Sequence, residues 1–118
     1  MSLPTQLEVI KRLSECSRLL EVAQHDLADL DEAAVRAKQA YEVAWARAYL
    51  RAEGSIEARK AEAVIVTAGE ALEAELCAAK VRACRERIRT LGAQLDVGRT
   101  LSAAIRSQFQ AEPVGQWT

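Results

Sequence analysis

The chain has 118 residues, half of them hydrophobic, with 4% aromatics and a formal net charge of -1 from 16 basic and 17 acidic side chains. That length accommodates one domain, and the near balance of charge excludes a whole-molecule attraction to nucleic acid or anionic lipid, so any such binding must be local. Alanine dominates the apolar half; it is the best helix former but a poor core filler, which favours long helices over a thick globule.

The three cysteines, Cys16, Cys77 and Cys84, are an odd set without CxxC spacing, and the single His25 is remote from two of them, so a zinc site is not expected. Cys77 and Cys84 stand one heptad apart, too far along a helix for a disulfide, and read as small seam residues. The first residues lack the basic and continuous apolar regions of a secretion signal. No run approaches the ~18 apolar residues of a membrane span. A soluble, intracellular and reduced protein is the expectation, with no membrane contact.

Pro4 and Pro113 bracket everything between them, as expected of a helical interior. Thr5-Gln6-Leu7-Glu8 fits the S/T-x-x-E capping box that starts a helix. From Val9, positions 9, 13, 16, 20, 23, 27, 30, 34, 37, 41, 44 and 48 are all apolar, an a/d heptad seam. A first helix is therefore predicted over about 5–53. Gly54 supplies a left-handed residue after it, and Ser55 is a good N-cap for a second helix over about 56–111. The second seam is read as Ala61, Ile65, Ala68, Leu72, Leu76, Ala79 and Ala83, then, after a phase shift, Ile88, Leu91, Leu95, Gly98, Ser102, Ile105 and Phe109. Gly69, Gly92 and Gly98 lie inside this helix, so a close helix approach, a bend, or a break between Gly92 and Gly98 is allowed. The tail 113–118 leaves the helix at Pro113 and carries Trp117, either docked on a partner or frayed.

The predicted fold is thus all-α: two long antiparallel helices forming a coiled-coil-like helical hairpin. A reversal at 54–55 pairs Leu13 with Leu95, Leu20 with Ile88 or Leu91, and Tyr41 with Ala68. Large side chains meet far from the turn and mostly alanines meet near it, so two helices alone have little core. Self-association into a four-helix arrangement, a dimer first, is expected.

Between Lys80 and Arg106 seven bases face two acids, whereas residues 1–35 carry seven acids and three bases. One reading makes these interhelical partners that fix an antiparallel register, Arg89 with Glu21 and Lys80 with Asp29. The other makes Arg82, Arg85, Arg87 and Arg89 a phosphate-binding face. At the turn, Tyr41, Trp45 and Tyr49 follow one helical ridge, with Arg47, Arg51, Arg59 and Lys60 around them. Three of the chain's five aromatics gather there. Rings beside guanidinium groups serve both protein hot spots and base stacking, while packing under a second hairpin would use the same ridge.

No G-x-S-x-G, Gly-rich phosphate loop or H-E-x-x-H occurs, and Glu73 and Glu75 are two apart, off a common helical face. Neither a catalytic residue, a metal ligand nor a cofactor is expected. The stretch Tyr41-Glu42 through Ala48, then Glu53-Gly54-Ser55, Glu57, Arg59-Lys60-Ala61 and Leu95-Asp96-Val97-Gly98-Arg99, resembles small helical proteins that recur in actinobacterial bacteriophages and prophages. That resemblance implies a phage-encoded accessory protein in the cytoplasm of a bacterial host. It would work near DNA replication or recombination, or act on a host factor. A likeness to the Trp-x-Gly hairpins of type VII secretion fails at the turn, where Trp45 stands nine residues before Gly54. The leading expectation is a non-enzymatic protein that binds a phage or host protein; a nucleic-acid-binding accessory using the Arg-rich second helix is the alternative.

Overall fold

The computed structural model describes residues 5–116, with side chains through 110. It is helical throughout, with α1 at Gln6–Arg51, α2 at Ile56–Val66 and α3 at Ala68–Gln116, and no strand among the described residues. None of these helices is long and apolar enough to cross a membrane.

The start of α1 is the reciprocal box read from the sequence. Glu8 N donates to Thr5 Oγ1 and Thr5 N donates to Glu8 Oε2, each at 3.2 Å, which satisfies two N–H groups that have no carbonyl four residues back. α1 stops at Arg51, two residues short of the predicted end. Gly54 then takes φ 107°, a value that a side chain would strain, and Ser55 caps α2 by accepting from Ala58 N at 3.2 Å.

The single second helix of the sequence reading is two helices. Their boundary is Thr67, not the Gly92 to Gly98 stretch, through which α3 passes unbroken. Thr67 is 1% exposed, and its Oγ1 donates to the Ala63 carbonyl at 2.7 Å, while its N–H reaches the same oxygen at 3.1 Å. A threonine hydroxyl that competes for the carbonyl four residues back bends a helix, and here it ends one. Neither is α3 stopped at 111: it runs to Gln116 and so includes Pro113. Trp117 lies outside the described residues.

Two compact units divide the chain, Met1–Gln24 with Glu86–Thr118, and His25–Arg85. In the first, Cys16, Ala23, Leu91 and Leu95 form the buried cluster, with Leu13, Leu19, Leu20 and Ile88 packed against it. Leu13, Leu20, Ile88, Leu91 and Leu95 are the large residues that the pairing scheme brought together; Leu19 joins them outside that scheme. Each Leu so buried contributes roughly 1.5–3 kcal/mol. Gly98 lets α3 come close here, since a Cβ on it would stand 2.5 Å from Leu13 Cδ2. In the second unit the buried residues are small: Ala48, Ala52, Ala63, Thr67, Cys77 and Val81.

All twelve predicted seam positions of α1 are buried or half-buried. The second seam is right from Ile88 to Ile105 and wrong at both ends. Ala61, Ile65, Ala68, Leu72, Leu76, Ala79 and Ala83 are exposed, as is Phe109, and the buried stripe is instead Ala63, Thr67, Ala74, Cys77, Val81 and Cys84. No phase shift occurs near Ala83, because from Ala74 to Ile105 the spacing of three and four continues without interruption. A straight helix cannot change the face it presents, so the phase set by Ile88, Leu91 and Leu95 carries back to Cys84, Val81 and Cys77 and leaves Leu72 and Leu76 outside.

Candidate interaction surface

The second unit holds all seven aromatic and basic residues singled out near the turn, and the structure sorts them into four places. Trp45 and Tyr49, four apart on α1, stack with ring centroids 5.4 Å apart and planes 9° from parallel. Arg59 comes over from α2, with its guanidinium carbon 4.5 Å from the Tyr49 ring centre. The same guanidinium donates to the Tyr49 carbonyl through Nε at 3.4 Å and Nη2 at 3.2 Å. That carbonyl belongs to the last turn of α1 and has no backbone partner of its own to expect, so Arg59 caps α1 while lying on the ring. Its charge is used within the fold. The stack is half-buried: Trp45, Tyr49 and Arg59 each keep one side open to solvent.

Tyr41 is separate from this stack. It lines a groove of about 580 Å³ between α1 and α3, floored by Ala34, Ala74, Ala78 and Val81 and edged by Asp31, Glu75 and Arg82. Arg47 and Arg51 border another groove, of about 420 Å³, where Glu62 and Glu70 also lie. Lys60 is exposed.

The Arg-rich stretch is engaged partly, and with other acids than the register scheme assigned. Arg85 reaches Asp31 at 3.5 Å, and Arg89 pairs with Glu86 on its own helix at 2.8 Å, in place of Lys80 with Asp29 and Arg89 with Glu21. A neighbour one turn away on the same helix costs less side-chain ordering than one across a helix pair, so the local acid wins. Arg82 and Arg87 are exposed.

The cysteines behave as packing groups. Cys16 Sγ donates to the Leu91 carbonyl at 3.2 Å inside the first unit's core. Burial pushes the Cys77 thiol above its ordinary range, helped by its hydrogen bond to Glu73 at 3.5 Å, which keeps it protonated and a poor nucleophile. The exposed Glu15 carboxyl is held below its usual value by the hydrogen bond from Arg18. Among the described residues no three His, Cys, Asp or Glu side chains gather as metal ligands would.

Two features were not drawn from the sequence. One is a groove of about 640 Å³ in the first unit, lined by Val9, Leu13, Cys16, Val97, Gly98 and Leu101 with Arg12 and Arg89 at its edge. The other is the outer face of α2 and α3, where Ile65 is 76% exposed, Leu72 60% and Leu76 48%. The phase of the strong Ile88, Leu91, Leu95 pattern, carried towards the N-terminus, would have found it. No known protein family, curated protein or solved structure matches the chain.

Proposed function

We propose that this protein is a non-enzymatic interaction module: a coiled-coil-like helical hairpin that associates with itself in a four-helix arrangement and binds a protein partner at the α1–α2 turn. One observation carries the reading. The second unit buries small residues and leaves its larger ones, Ile65, Leu72, Leu76 and, on α1, Leu50 at 74%, in water. A helix with apolar residues on two faces belongs inside something larger than a pair of helices. The Trp45 and Tyr49 stack adds a rigid aromatic patch, preorganised by Arg59, of the kind on which protein interfaces concentrate their energy. The phage accessory role implied by the sequence resemblance is compatible with such a module acting on a phage or host factor in a bacterial cytoplasm.

The test is affinity capture from a nuclease-treated actinobacterial lysate, comparing the wild type with a Trp45→Ala, Tyr49→Ala variant whose helicity is checked by circular dichroism. A protein captured stoichiometrically by the wild type and lost from the variant supports binding through the stack; equal capture by both removes the stack from the reading. The second reading, a nucleic-acid-binding accessory, draws on the exposed Arg82 and Arg87. It requires binding to DNA or RNA that falls steeply with salt and disappears when both are replaced by Ala.

A further inference from the structure

The outer face of α2 and α3 carries Ile65, Gly69, Leu72, Leu76, Ala79 and Ala83, all exposed. Their spacing is four, three, four, three, four, the a/d repeat of a helix seam. At about 100° per residue, the mean direction of Leu72 and Leu76 lies roughly 150° from that of Ala74, Cys77 and Val81, which face α1. Among the described residues the second unit therefore has a second seam with nothing packed on it.

The residues bordering this seam are ordered by charge. One border holds Glu73 and then Lys80, seven residues on; the other holds Glu75 and then Arg82. All four are exposed, and none takes part in the ion pairs found among the described residues, although Glu73 Oε1 accepts a hydrogen bond from the Cys77 thiol at 3.5 Å. Acid before base on both borders is self-complementary when the helix meets a reversed copy of itself. With facing residue numbers summing to 155, Leu76 packs on Ala79 of the second copy and Leu72 on Ala83 of the second copy. In the same register Glu73 meets Lys80 of the second copy, and Glu75 meets Arg82 of the second copy. The two-fold axis repeats each contact, giving four interchain ion pairs around a Leu-on-Ala seam. Sliding one copy by a heptad, to a sum of 148, sets Glu73 on Glu73 and Glu75 on Glu75. A parallel pairing brings Glu75 to Lys80 but leaves Glu73 and Arg82 unmatched. Charge thus selects both direction and register.

We infer that a second copy of this chain docks antiparallel on the Leu72, Leu76, Ala79, Ala83 face of α3, held in register by Glu73 with Lys80 and Glu75 with Arg82. The inference rests on the self-association put forward above. The occupant is a copy of the chain because the complementarity is of the face with itself.

The experiment uses the full chain and two charge variants. Lys80→Glu, Arg82→Glu makes both borders acidic, and Glu73→Lys, Glu75→Arg makes both basic. Since these side chains are exposed, both variants should keep the wild-type circular dichroism. By sedimentation equilibrium each alone should dimerise at least about tenfold more weakly than the wild type, and an equimolar mixture should recover a one-to-one heterodimer. A wild type that stays monomeric would overturn the self-association and this face together. A wild-type dimer that both variants share at unchanged strength, or variants that fail to recover on mixing, would overturn this face alone.

Discussion

The approach of α3 to α1 at Gly98 can be measured with one added methyl group. Replacing an interior helical Gly with Ala ordinarily stabilises by about 1 kcal/mol. Gly92, in the same helix and the same unit, is the reference, because a Cβ there meets nothing within 4 Å. At Gly98 the same methyl would lie 2.5 Å from Leu13 Cδ2 and 3.2 Å from Leu13 Cγ. Leu13 can rotate away, but it is half-buried against the Cys16, Leu91 and Leu95 cluster, so rotation gives up packing. Overpacking of this kind costs about 1–3 kcal/mol, which cancels or exceeds the propensity gain. The Gly92→Ala chain should therefore be about 1 kcal/mol more stable than wild type, and the Gly98→Ala chain equal to wild type or up to about 2 kcal/mol less stable. Urea titration followed by far-ultraviolet circular dichroism resolves that difference. A Leu13→Ala, Gly98→Ala chain should lose less than the two single changes together, because the truncated side chain no longer meets the new methyl. Equal stabilisation by Gly92→Ala and Gly98→Ala would refute the close packing of Leu13 on Gly98.

Three further outcomes follow from the same geometry. Arg59→Ala removes the cap on the Tyr49 carbonyl and the cation over its ring, and should cost about 1–2 kcal/mol, whereas Tyr49→Phe, which keeps ring and carbonyl, should cost little; urea midpoints compare them. Thr67→Val keeps the buried volume and leaves the Ala63 carbonyl with the backbone N–H of residue 67, so its stability should stay within about 1 kcal/mol of wild type while the helix signal holds or rises; a large loss would show that the hydroxyl does more than bend the helix. The Cys77 thiol has a folded pKa above its unfolded one, so its contribution to stability is present below the unfolded value and is lost as the pH rises through the folded value. Wild type should accordingly lose stability in the alkaline range faster than Cys77→Ala, as read from urea midpoints at neutral and alkaline pH; parallel curves would contradict the shift.

What the sequence made legible depended on whether size and period agreed. In α1 they did: the capping box, the twelve-position seam and the Leu13 and Leu20 contacts were readable because the only strong apolar pattern is also the buried one. The Gly54-Ser55 reversal was readable because a positive φ and an N-cap have few alternative residues. In the second unit they disagreed. Leu72 and Leu76 are the larger side chains, yet Cys77 and Val81 share the phase of Ile88, and helix continuity outweighs side-chain size when the partner surface is mostly alanine. The break at Thr67 was missed because it comes from a side-chain hydrogen bond, whereas Gly92 and Gly98, which look like breakers, are carried by the packed helix around them. Of the candidate site, the Trp45 and Tyr49 stack follows from their spacing of four. That Arg59 joins it and caps α1, while Arg47 and Arg51 lie beside Glu62 and Glu70, depends on how α2 leaves the turn.

In the proposed assembly the exposed apolar seam of the second unit is covered by another polypeptide chain. Its most direct test is the weight-average mass of the purified wild type across a wide concentration range, by sedimentation equilibrium at moderate salt. The expected result is a rise from the chain mass of 12.9 kDa towards twice that value, with helicity unchanged. A fully helical chain that stays at 12.9 kDa at every concentration would contradict it.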